Sequence, residues 1–256
     1  MKALLICVLV LAGCASSPGG PTSGRNTPQE NINADLLNSA RVHTELGANY
    51  YSRRQYGVAL DELGFALKAL PSYGPAYNVQ GLVYMELKED GKAVQSFEQA
   101  LKIDPTDSDA NNNYGWFLCQ RGNPAKSLDY FAAAQRNALY TTPEKSLVNA
   151  GICSRKMNNL AGAEGFFRQA LAIRPDEAQA LYNLADMSFQ RGNLEESRAY
   201  LGRYMHSENP SAEALWLGVR TERLLGDRGV AASYAAQLCR RYAESQECRA
   251  LKSGAQ

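Results

Sequence analysis

Few residues in this 256-residue chain could do chemistry by themselves: six cysteines and two histidines. A cysteine thiolate is a nucleophile, a soft metal ligand or half of a disulfide, and its neighbours decide which. His43 and His206 stand far apart, and neither has metal-ligand spacing to the other or to a cysteine. The patterns G-x-S-x-G, H-E-x-x-H and G-x-x-x-x-G-K-S/T are absent. The carboxylates are scattered at the spacing of solvated helix faces. With no nucleophile–base pair, metal set or phosphate loop, the sequence predicts a protein that is not an enzyme, with no metal, cofactor or small-molecule substrate.

Cys7 and Cys14 belong to a distinctive N-terminus. Lys2 supplies a positive start, and residues 3–12 form an almost unbroken apolar run. That run is too short to cross a bilayer, which takes about 20 apolar residues, and has the size of a secretory h-region. It ends in Leu11-Ala12-Gly13-Cys14, followed by Ala15-Ser16-Ser17. This resembles the bacterial lipobox, in which a peptidase cuts before a cysteine whose thiol carries a diacylglycerol. Residues 1–13 are therefore expected to be a lipoprotein signal peptide, and Cys14 the lipidated residue. Two or more acyl chains anchor firmly, at about 0.8 kcal/mol per buried methylene. Ala15 stands where resembled lipoproteins kept in the inner membrane typically have Asp. The resemblance thus implies lipid anchoring in the inner leaflet of the outer membrane, facing the periplasm. Losing Lys2 takes the formal charge from +1 to zero, and nothing in that balance asks for nucleic acid.

Residues 14–33 are rich in Pro, Gly, Ser, Thr and Asn, with no large apolar residue before Ile32. Such a segment buries too little surface to fold, and predicts a flexible tether with an end-to-end distance of roughly 20–25 Å. Beyond it, Ala59, Ala93, Ser127, Ala163, Ser197 and Ala231 recur in steps of 34, 34, 36, 34 and 34. Twelve residues before each lie Gly47, Gly81, Gly115, Gly151, Ala185 and Val219. Four residues after each come Leu63, Phe97, Phe131, Phe167, Leu201 and Ala235. Pro71, Pro105 and Pro175 sit at repeat ends, where a missing N–H stops a helix.

A period of 34 with these residues is the tetratricopeptide signature, and it covers about four-fifths of the chain. The expected fold is all-α: a right-handed superhelical solenoid of six helix-turn-helix repeats. Their limits are about 40–73, 74–107, 108–141, 144–177, 178–211 and 212–245, with a short capping helix in 246–256. The two extra residues of the long step are placed at Thr142-Pro143. Single units cannot cover their own apolar faces, so they must stack.

In the resembled repeats a concave groove is lined by positions five, nine, twelve and thirteen of the first helix. Here these include Thr44, Ala48 and Tyr51, then Asn78, Leu82 and Met85, then Asn112, Trp116 and Cys119. Some members hold a peptide carboxylate with Lys at position five and Asn at nine, which Thr44/Ala48 and Asn78/Leu82 do not match. Tyr51, Leu82, Met85 and Trp116 are candidate anchors for a protein partner, with Asn78 and Asn112 available to a peptide backbone. The same residues suit packing between repeats, and the sequence leaves both readings open. Cys119 and Cys153 fall on first helices of neighbouring repeats, and Cys239 ends the last second helix with Cys248 in the tail. In an oxidising periplasm this suggests bridges 119–153 and 239–248 among three possible connectivities, with free buried thiols as the alternative.

The stretch Trp216-Leu217-Gly218-Val219-Arg220-Thr221-Glu222-Arg223-Leu224-Leu225-Gly226-Asp227, with Ala232-Ser233-Tyr234 and Gln237-Leu238, carries a closer likeness. It resembles the last repeat of the PilF/PilW family of type IV pilus biogenesis lipoproteins, as do the lipobox and the six-repeat length. Departures are a weak second helix in this repeat and Ala243 near where such chains often place proline. The resemblance implies a pilotin: a protein that binds the pilus secretin and promotes its outer-membrane localisation and multimerisation. A periplasmic lipoprotein adaptor that scaffolds cell-wall enzymes would share every feature except the terminal stretch.

Overall fold

The computed structural model describes residues 28–206 and 209–254; the expected signal peptide, Cys14 and the expected tether up to residue 27 lie outside the described residues. Thirteen α-helices follow one another, with no strand among the described residues. They are α1 (Pro28–Ser52), α2 (Tyr56–Ala69), α3 (Gly74–Glu86), α4 (Asp90–Ile103), α5 (Ser108–Gln120), α6 (Pro124–Gln135) and α7 (Pro143–Lys156). The chain continues through α8 (Leu160–Ile173), α9 (Ala178–Gln190), α10 (Leu194–Tyr204), α11 (Ala212–Leu225), α12 (Arg228–Arg241) and α13 (Gln246–Lys252). Helices α1 to α12 pair as six hairpins, and α13 rests on α11 and α12. The result is the all-α solenoid of stacked hairpins that the 34-residue period requires.

Local signals set the helix limits. Asp107, Asn123, Asn159, Ser211, Asp227 and Ser245 each accept a hydrogen bond from the third backbone N–H of the helix they open. Each hairpin turn contains one residue of positive φ: Arg54, Lys88, Gly122, Asn158, Gly192 and Gly226. The two extra residues fall in the connection at 136–142, and Pro143 opens α7. One boundary differs from expectation. Helix α1 starts at Pro28, so residues 28–33 are helical where composition predicted tether. Proline at a first helical position has its φ preset, and no proline or glycine interrupts residues 29–46.

The core lies inside each hairpin, where the eighth and twentieth residues of the repeat let two backbones approach. A Cβ on Gly81 would lie 2.6 Å from Phe97, and one on Gly115 2.9 Å from Phe131. Phe97, Phe131 and Phe167 are completely or almost completely buried, each worth about 1.5–3 kcal/mol of apolar transfer. From α1 to α11 the backbone of each odd helix comes close to that of the next odd helix, whereas the even helices stand farther apart, and Arg168 of α8 reaches Glu196 of α10 by its long side chain at 3.2 Å. The stack therefore closes up on the odd helices and opens on the even ones. That curvature puts the odd helices on the concave side.

Candidate partner-binding groove

The inner wall is built from α1, α3, α5, α7, α9 and α11, and the six predicted groove residues have separate fates. Tyr51 is half-buried, with its ring 6.2 Å from that of Tyr56, and burial and then the Glu86 carboxylate push its phenol pKa up. Leu82 and Trp116 are half-buried, packed by part of their surface on the cluster of Met85, Phe97, Tyr114 and Phe117. These three side chains keep a surface for a partner. Met85, Asn78 and Asn112 do not, being 8%, 6% and 8% exposed. The neighbouring odd helix packs over them, so Met85 is core and the two amides bond within the wall.

Those amides form a chain across the helices. Asn113 Nδ2 donates to Asn78 Oδ1 at 3.1 Å, Asn112 Nδ2 to Asn113 Oδ1 at 3.3 Å, and Asn149 Nδ2 to Asn112 Oδ1 at 3.0 Å. Further along, Arg155 donates to Asn183 Oδ1 at 2.7 Å and to Asp186 Oδ2 at 2.6 Å. Lys156 Nζ donates to the carbonyl of Cys119 at 2.9 Å. A run of polar side chains tied to one another at low exposure holds its geometry. Half-buried Asn113 and Asn149 have amide capacity left over for a peptide backbone. Sequence reasoning missed Asn113, Asn149 and Asn183, although all three occupy the sixth position of their repeats. That recurrence was the available signal.

The residues weighed for other chemistry have structural partners. His43 Nδ1 lies 2.7 Å from Glu62 Oε2, with its ring 5.5 Å from Phe65, and His206 Nδ1 is 2.6 Å from the carbonyl of Gly202. Among the described residues no three His, Cys, Asp or Glu side chains converge as a metal site, and no helix is long and apolar enough to cross a membrane. Cys119 is joined to Cys153 with Cα atoms 5.9 Å apart, and Cys239 to Cys248 at 5.2 Å. The first bridge ties α5 to α7 across the long step of the repeat, inside a cluster with Phe131 and Ala150. The second fastens α13 to the end of α12.

Tetratricopeptide repeat family models match residues 74–107, 96–129 and 155–217. The crystal structure of PilW, described as a widely conserved type IV pilus biogenesis factor, is 34% identical with a TM-score of 0.73, over 83% of this chain and 97% of that one. This chain belongs to the PilF/PilW family. The type IV pilus assembly protein PilF of Pseudomonas aeruginosa is 28% identical over 252 residues, 96% of each chain. A solved structure of Pseudomonas aeruginosa PilF matches with a TM-score of 0.77 and 25% identity, over 86% of this chain and 99% of that one. As a PilF/PilW-family member it is a tetratricopeptide-repeat protein of type IV pilus biogenesis, built for protein–protein interaction.

The structure also accounts for much of the family-like stretch at 216–227. A Cβ on Gly218 would meet the Tyr234 ring at 2.8 Å. Glu222, buried on α11, accepts the guanidinium of Arg198 from α10 through two hydrogen bonds of 3.1 Å and a third, shorter one. Gly226 takes φ 84° at the end of α11, and Asp227 caps α12.

Proposed function

We propose that this PilF/PilW-family protein is an outer-membrane lipoprotein, anchored through Cys14, that binds the pilus secretin in its groove and promotes secretin localisation and multimerisation. The observation that carries the reading is the 34% identity to PilW across 97% of that chain. The Leu11-Ala12-Gly13-Cys14 motif supports the anchor, and the half-exposed Tyr51, Leu82 and Trp116 beside the amide run support a peptide or helix as occupant. No bond is made or broken in this role. An anchor confines the groove to the membrane surface, and a secretin subunit held there meets the others at raised effective concentration.

A membrane blot for secretin multimers tests it, comparing a deletion strain with one carrying Cys14→Ala. The expected result is loss of multimers in the first and reduced or mislocalised multimers in the second. Unchanged multimers in both strains would overturn the proposal.

A further inference from the structure

At the C-terminal end of the stack lies a cleft of about 580 Å³, lined by Phe189 of α9, Arg220, Arg223 and Leu224 of α11, and Gly254 beyond α13. Its size is that of sites which enclose a small ligand or a few residues of peptide. Phe189, Arg220, Arg223 and Leu224 occupy the ninth, twelfth and thirteenth positions of their repeats, which face the concave side. The cleft is therefore the terminus of the groove.

Its charge is uncompensated. Arg220 and Arg223 are three residues apart and share one face of α11. Neither makes a side-chain hydrogen bond or an ion pair among the described residues; Arg220 only stacks on Phe189, its guanidinium carbon 4.5 Å from the ring centroid. The nearest carboxylates along the chain are engaged elsewhere, Glu222 with Arg198 and Asp227 with the start of α12. Within the 216–227 stretch these two arginines are thus the charged side chains that folding does not use.

The rest of the wall is apolar. Leu224 is 64% exposed and lines the cleft together with Phe189. A guanidinium stacked on a ring is held flat, with its N–H edge presented to a carboxylate. A bare inorganic anion would leave Phe189 and Leu224 idle, and a chain running onward would meet the Gly254 segment. A chain that ends in the cleft uses all of it.

We propose that the cleft binds the C-terminal residue of a partner polypeptide, its α-carboxylate on Arg220 and Arg223 and an apolar side chain against Phe189 and Leu224. The inference rests on the protein-binding reading of the groove, not on the partner being a secretin, so it can fail while the secretin test succeeds, or the reverse.

The test uses the full chain in detergent micelles and fluorescein-labelled octapeptides of Gly and Ser ending in Phe, Leu, Tyr or Ile. Each is made as the free acid and as the C-terminal amide, and binding is read by anisotropy. At least one acid is expected to bind tenfold or more tighter than its amide. The Arg220→Gln/Arg223→Gln variant should abolish that difference without changing the thermal melt. Equal binding of acid and amide across the panel, or no binding of any peptide, would overturn the proposal. So would displacement by inorganic phosphate as effective as by acetyl-phenylalanine, the mark of a plain anion site. Tighter peptide binding after removal of residues 255–256 would make the chain's own end the occupant, and would also overturn it.

Discussion

A Cβ placed on Gly151 would come within 2.5 Å of Phe167 Cε1. The same relation links Gly47 to Leu63 at 2.9 Å and Gly81 to Phe97 at 2.6 Å. Where the glycine becomes Ala185 its partner is Leu201, and where it becomes Val219 the partner shrinks to Ala235. The eighth and twenty-fourth positions thus share one volume. Gly151→Ala is expected to cost about 1–3 kcal/mol by overpacking. Adding Phe167→Leu should recover part of that loss, because the double variant recreates the Ala185–Leu201 pair. A urea double-mutant cycle measures the coupling, and strictly additive losses would refute the shared-volume account.

The Cys119–Cys153 bridge closes a loop with sequence separation 34, and Cys239–Cys248 one of 9. Chain entropy assigns these about 4 and about 3 kcal/mol. Cys119→Ala/Cys153→Ala should lower the unfolding free energy by up to that first amount. Reducing the intact protein, which opens both bridges, should cost up to about 7 kcal/mol, while reducing the variant should cost only the second bridge's share. Equal sensitivity of both proteins to reductant would show that the first bridge adds nothing. Loss of the second bridge is expected to raise hydrogen exchange in α13 before any other helix.

Lys88 adopts φ 61° at the α3–α4 turn, where Gly122, Gly192 and Gly226 serve the equivalent turns. A left-handed residue with a Cβ costs about 1–2 kcal/mol, offset in part by the entropy that glycine loses on folding. Lys88→Gly should therefore stabilise the protein by roughly 0.5–1 kcal/mol, and Gly192→Ala should destabilise it by a similar amount. The readout is the urea midpoint at unchanged m-value. A destabilised Lys88→Gly would mean that its side chain contributes more than the turn costs.

Glu164 supports a pH prediction. Arg191 lies 2.5 Å and Arg168 2.7 Å from its carboxylate, and these hydrogen bonds, Arg191's first, hold its pKa below the ordinary carboxylate value. Because the folded value is depressed, the stabilisation is fully present above the unfolded pKa of about 4.3. It is lost as pH falls through the folded value. Glu164→Gln should be less stable than the parent at neutral pH, by under about 1 kcal/mol for so exposed a network. The two stability curves should converge in acid. A gap that persists unchanged at low pH would assign the loss to packing.

Much of the molecule was legible in the residue pattern. The step from Ala59 to Ala231 placed the helix starts at Gly74, Ser108, Ala178 and Ala212, and put that of α7 one residue late. The positions of Cys119, Cys153, Cys239 and Cys248 in the repeat suggested the two bridges that the structure contains. These features follow from helix period and repeat spacing, which are local and therefore written along the chain. Burial is not local in that sense. Asn78, Met85 and Asn112 carry groove positions by register, yet the next odd helix covers them. The Arg220–Phe189 cleft joins residues of α9, α11 and the tail that no single repeat contains. Which side chains stay open depends on how closely neighbouring hairpins approach and which way the stack bends, and only the packing of the whole solenoid decides that.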